Sequence, residues 1–260
     1  MNKVFECKPL TAHGRFLKNS AKPIDGFKYA CPLDGHGFVN MYTIRNQNIT
    51  YKGIRVNTRE YGKEKHAMRP LFRSMSKNGP NPFKFNTFSN VGFLQMHDSV
   101  YTISENGIPY ELNLDTEEST GMQLDVNKLF NLVPYLPASV HPKTIDGIVY
   151  NASGYNWGIV LYNERQIIAN IPFPDFKSYY FHDFYVTDTH YVFYINPIQI
   201  DVFGVVTNTK TILDSINFEN EGHAVMLVDR ISLNSRVYTV PAEWSYPVLH
   251  IAHAKYIHDS

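Results

Sequence analysis

The 260-residue sequence predicts an all-β fold, on three observations. β-Branched and aromatic residues gather in short runs, and the chain carries 18 Tyr and 17 Phe. Turn chemistry separates the runs, with most of the 15 Gly and 15 Pro between them. Helical periodicity is scarce. Pleated, half-buried surfaces select residues of this kind, and the intervening turns specify hairpins.

Phe38 to Ile44 reads as a strand that turns at 45–48 and resumes at Ile49 to Tyr51. Val100 to Ile103 is joined through Asn106-Gly107 to Tyr110 to Leu114. Gly147 to Tyr150, Gly158 to Tyr162 and Gln166 to Ile171 repeat the form. So do Tyr180 to Val186 with Tyr191 to Ile195, and Ala224 to Asp229 with Arg236 to Val240. Short helices are expected at Asp125 to Leu132 and Thr211 to Asn217. Hairpin after hairpin fits a propeller of four-stranded blades. About 40–45 residues per blade would allow roughly six. A sandwich or barrel satisfies the same periodicity. No linker, low-complexity tract or charge block divides the chain, so residues 1–260 are expected to form one domain.

Composition narrows the function classes. Lys and Arg number 24 against 24 Asp and Glu, with no basic block to neutralise a row of phosphates, which argues against nucleic acid. Cys7 and Cys31 make neither a disulfide framework nor a CxxC spacing, so a reducing, cytoplasmic setting is expected. The N-terminal segment carries Lys3, Glu6 and Lys8 and lacks the apolar core of a signal peptide. No apolar run is long enough for a membrane-spanning helix.

Three of the 11 histidines stand in apolar or Pro-flanked contexts. They are His141 in Val140-His141-Pro142-Lys143, His182 in Phe181-His182-Asp183-Phe184, and His250 in Leu249-His250-Ile251. Imidazole among apolar neighbours needs partners for its ring nitrogens, and a metal ion is one such partner. The three lie 41 and 68 residues apart, so shared ligation requires separate sheets to converge, as at a propeller axis. Three independent core histidines, each bonded to a backbone carbonyl, fit the spacing as well. The one His-x-x-His spacing, His250 with His253, falls in what reads as a strand, where the two side chains would face opposite ways, and no His-Glu-x-x-His pair occurs. His36, His97, His190 and His223 fall at turns or strand ends and are expected to be solvated.

Read in order, several segments resemble the carotenoid cleavage oxygenase family, which includes the retinal pigment epithelial membrane protein. Gly14 to Asn19 and Asp34-Gly35-His36-Gly37-Phe38 are similar to the family's opening motifs. Asn86-Thr87 and Glu105-Asn106-Gly107-Ile108-Pro109-Tyr110-Glu111-Leu112 are similar to its Asn-Thr and Glu-Gly-Gly-x-Pro-Tyr-x-Leu. Val140-His141-Pro142-Lys143, His182-Asp183-Phe184 and Leu249-His250-Ile251-Ala252 resemble its first three ligand motifs.

The resemblance implies a seven-bladed propeller with Fe(II) on its axis and an apolar tunnel for a polyene. It implies a carotenoid cleavage dioxygenase that uses dioxygen to split a conjugated double bond of a carotenoid, apocarotenoid or retinoid. His141, His182 and His250 would be metal ligands, with Glu105 accepting the N–H of a ligand imidazole. Retinoid isomerisation is the alternative reaction within the family, and an inactive binding or interaction propeller is the alternative without chemistry. The chain runs only ten residues past His250, so the family's last blades and fourth histidine would lie beyond Ser260. An incomplete propeller is therefore expected, with self-association or a complementing C-terminal chain to cover open sheet edges. The stretch corresponding to the family's membrane-facing patch, Arg59 to Arg69, is charged, so weak peripheral membrane contact at most is expected.

Overall fold

Antiparallel strand pairing organises the chain. A computed structural model describes residues 13–27, 31–46, 48–81, 83–96, 98–105, 107–124, 139–155, 158–163, 165–173, 181–196, 198–218, 222–244 and 250–251. Four antiparallel sheets follow one another along the sequence. The first contains β1 (Gly14–Lys22), β2 (His36–Arg45) and β3 (Asn48–Arg55). β4 (Gly92–Met96), β5 (Ser99–Ile103), β6 (Tyr110–Asn113) and β7 (Glu118–Gln123) make the second, in sequence order.

The third sheet is β8 (Lys143–Ile145), β9 (Ile148–Tyr155), β10 (Gly158–Asn163) and β11 (Ile167–Pro172). The fourth orders β12 (Phe184–Val186), β13 (His190–Ile195), β16 (Ala224–Asp229) and β17 (Ser235–Thr239). A two-stranded excursion, β14 (Ile198–Ile200) and β15 (Ile216–Phe218), interrupts that last sheet. Two short helices occur among the described residues: α1 (Arg59–Ala67), capped by the Thr58 side chain, and α2 (Val202–Val206), capped by Asp201.

Three apolar clusters join the sheets in succession. Val39, Met41 and Ile54 of the first meet Tyr110 and Leu112 of the second. Leu94, Met96 and Ile103 of the second meet Val149 of the third. The largest cluster joins Ala152, Ile159, Leu161 and Ile171 to Phe184, Val186, Phe193, Met226 and Val228 of the fourth. Alternate residues of β13 are buried, which places Tyr191, Phe193 and Ile195 on this inner face. The leading strands of neighbouring sheets touch, β1 against β4 and β8 against β12. Sheets packed face to face with leading strands side by side make propeller blades.

The structure refines several expectations. Four sheets, rather than six, occupy the described length, because loops and the β14–β15 excursion lengthen the repeat. The expected helix at Thr211 to Asn217 is a 3₁₀ turn (Leu213–Ser215) running into β15. The one at Asp125 to Leu132 lies outside the described residues. Helix α1 was not anticipated, since its apolar periodicity is weak and its stability comes from its cap and from buried Glu60 and Glu64. His182 belongs to the loop ahead of β12 rather than to a strand.

His36 and His223 are buried rather than solvated. His36 Nε2 lies 2.8 Å from Glu64 Oε2. Glu64 also accepts N–H bonds from Leu71 and Phe72, at 2.7 and 3.1 Å. Burial alone would raise the Glu64 pKa, yet the His36 bond and these backbone donors together hold it below the ordinary carboxylate value. Glycines at 35 and 37 let the His36 strand approach other backbone segments: a Cβ on Gly37 would stand 2.3 Å from the Ser89 carbonyl oxygen.

Candidate metal centre

Two of the histidines precede the leading strands of their sheets by the same interval. His141 stands two residues before β8, and His182 two residues before β12. Because β8 and β12 lie side by side, equivalent positions on neighbouring blades bring the two rings together. His141 Nε2 and His182 Nε2 are 3.0 Å apart. His250 enters from the segment after the fourth sheet and completes the cluster. Its ring centroid lies 4.7 Å from that of His141 and 5.0 Å from that of His182. One ring nitrogen from each residue falls within a 4.8 Å group.

Glu105 stands in the turn after β5, which closes through a Gly107 N–H bond to the Ser104 carbonyl at 3.2 Å. Its carboxylate accepts the Nδ1–H of His182. That bond fixes the tautomer, leaving the lone pair of neutral His182 on Nε2, the atom that faces His141. Burial pushes the His141 pKa down to about 4; Asp183 opposes this, while His182, His250 and Lys143 add to it. His141 is therefore a neutral ligand-type imidazole at physiological pH.

The donor set fits a divalent transition metal. A metal–nitrogen bond of about 2.1 Å places ligands at right angles roughly 3.0 Å apart, the separation found between His141 and His182. Three imidazoles without a thiolate suit Fe(II), Co(II) or Zn(II) alike. Among the described residues, all three sequence-predicted histidines and Glu105 are brought together. His253 and His258 lie outside them.

Sequence reasoning passed over three residues that hold the cluster. Ser139, buried, donates to the His182 carbonyl at 3.4 Å, and its Oγ accepts the His141 N–H at 3.3 Å. Lys143 and Asp183 form a 2.7 Å ion pair. Both flank histidines within the quoted motifs, which was the available signal, but their partners are remote in sequence.

Converging imidazoles at the meeting of propeller blades, one oriented by a carboxylate, make a three-histidine group able to hold a metal ion in a β-propeller protein. Residues 8–254 match the family model described as retinal pigment epithelial membrane protein. The chain belongs to that family, the carotenoid oxygenases. An isoeugenol monooxygenase of Pseudomonas nitroreducens is 25% identical over 122 residues, covering 44% of this chain and 25% of that enzyme. Cobalt-substituted apocarotenoid oxygenase from Synechocystis superposes with a TM-score of 0.76 at 16% identity, over 94% of this chain and 55% of that one. A chimera of that oxygenase with the retinal pigment epithelial protein gives 0.72 at 16% identity, over 88% and 53%. The chain thus spans about half the length of these structures and a quarter of the curated relative.

Among the described residues no helix is long and apolar enough to cross a membrane.

Proposed function

We propose that this chain is a non-haem Fe(II)-dependent oxygenase that oxidatively cleaves a conjugated double bond of a carotenoid or apocarotenoid. The observation that carries this reading is the convergence of His141, His182 and His250, with Glu105 fixing the His182 tautomer. Bound iron would supply the activation of dioxygen. His141, His182 and His250 would hold the metal through neutral imidazoles, and Glu105 would keep the His182 proton on Nδ1, away from the metal. The reaction consumes one dioxygen per double bond and leaves two carbonyl groups, so no further reductant is needed.

Iron analysis of anaerobically purified chain tests the assignment. Near-stoichiometric iron, lost on His182→Ala, is expected; no retained iron, and no change on substitution, would sink it. Incubation with an apocarotenoid under labelled dioxygen then separates cleavage from isomerisation. Label in an aldehyde product supports cleavage, and an unlabelled isomer supports the other branch.

A second reading is a binding propeller without chemistry. An exposed aromatic face supports it. Phe16, Tyr42 and Tyr51 are register partners across β1, β2 and β3, on the side opposite Val39, Met41 and Ile54. Phe16 and Tyr51 are 59% and 56% exposed, an aromatic row suited to a further sheet. That sheet would come from a complementing C-terminal chain, and a second copy is the competing occupant. Sedimentation of the chain alone distinguishes them: a dimer supports self-association. A stable monomer that binds a C-terminal fragment supports complementation.

A further inference from the structure

We infer that Asp183 is a positioning residue that gathers the three histidine-bearing segments into one cluster; this rests on reading the cluster as a metal site. Its carboxylate is 4% exposed. Oδ1 accepts from Lys143 Nζ at 2.7 Å and from the Phe184 N–H at 2.8 Å. Oδ2 accepts the Ile251 N–H at 2.9 Å. Asp183 is the residue after His182, Lys143 lies two residues after His141, and Ile251 follows His250. One buried carboxylate therefore touches a residue beside each histidine, across sequence separations of 40 and 68 residues.

The chemistry explains why a carboxylate occupies this place. A buried anion is costly unless it is paired and hydrogen-bonded, so the site is stable only when Lys143 and Ile251 both reach it. That requirement couples the segment after His141 to the segment around His250. It acts on the backbone beside each ring rather than on the rings themselves. Glu105, by contrast, bonds an imidazole directly. The two carboxylates divide the work, one aiming a ring and the other assembling the segments that carry the rings.

The test uses the full chain and Co(II), whose visible absorption reports ligand number and geometry. Lys143→Met combined with Asp183→Leu removes both charges and substitutes an apolar pair of similar volume, an exchange that often preserves stability. The parent is expected to bind one Co(II). The double variant should melt near the parent temperature yet bind Co(II) about 10- to 100-fold more weakly, with an altered spectrum. Parent-like affinity and spectrum in the double variant would overturn the inference.

Asp183→Asn is the second variant should the first fail to fold. Its single carbonyl oxygen cannot serve both the Phe184 and Ile251 N–H groups, so the same loss is expected. Amide exchange at Ile251, measured without metal, separates this inference from the metal reading. Protection in the parent that is lost in the variants supports the tether even if the parent binds no metal. An unprotected Ile251 in the parent refutes it.

Discussion

One added methyl group should disturb the candidate metal centre from behind. Gly92 leads β4, and a Cβ built there would stand 2.2 Å from the carbonyl oxygen of Val140, the residue before His141. Carbon and oxygen approach no closer than about 3.3 Å even in weak hydrogen bonds. In Gly92→Ala the Val140 carbonyl or β4 must therefore give way by about 1 Å, and both are backbone. Overpacking of this kind costs roughly 1–3 kcal/mol, or about 4–8 °C in Tm for ~2 kcal/mol in a domain of this size. A displacement of about 1 Å beside a ligand can lower activity by two orders of magnitude.

Thermal melting and Co(II) titration of Gly92→Ala are the assays, with Gly62→Ala as the contrasting variant. Gly62 sits within α1 with no atom inside 4 Å of its Cβ position. Alanine there should stabilise by about 0.5–1 kcal/mol through helix propensity and leave Co(II) affinity unchanged. Parent-like melting and affinity in Gly92→Ala would refute the argument that backbone contact between the second sheet and the Val140–His141 segment holds the site in place.

Glu105→Gln preserves an acceptor for the His182 N–H but removes its charge, so metal affinity should fall about tenfold, read by the same titration; unchanged affinity would deny Glu105 its role. Glu64 binds fewer protons when folded than when unfolded, because its pKa is lowered from 4.5 on folding. Its contribution to stability is complete above that value and is lost as the pH falls through the folded pKa. Urea melts from pH 6 to pH 3 should show this loss, and Glu64→Gln should flatten that part of the profile while costing about 3 kcal/mol at neutral pH. Helix α1 presents Arg59, Lys63, Lys65 and His66 to solvent, so pelleting with neutral phosphatidylcholine vesicles at physiological salt should recover little protein; strong recovery would contradict weak peripheral contact.

The strands were legible because their signal is local. Phe38 to Ile44, Val100 to Ile103 and Ala224 to Asp229 carry β-branched or aromatic residues, and each became a strand within a residue or two. Less was readable where tertiary contacts outweigh propensity. β1 and β7 hold polar, exposed residues and are strands because β2 and β6 pair with them. His36 looked like a turn residue, yet Gly35 and Gly37 allow the chain to press inward and set it against Glu64, 28 residues away.

The sequence by itself determined the all-β character and, through motifs that resemble the family's, marked the three histidines and Glu105 as the residues to watch. Each follows from composition or from a short motif. Only the tertiary structure decided that these four residues meet. It also brought out Asp183, Lys143 and Ser139 as the residues joining their segments. The physical reason is separation: the bonds that build the centre connect positions 40 to 77 residues apart, and only the packing of one blade against the next closes those distances.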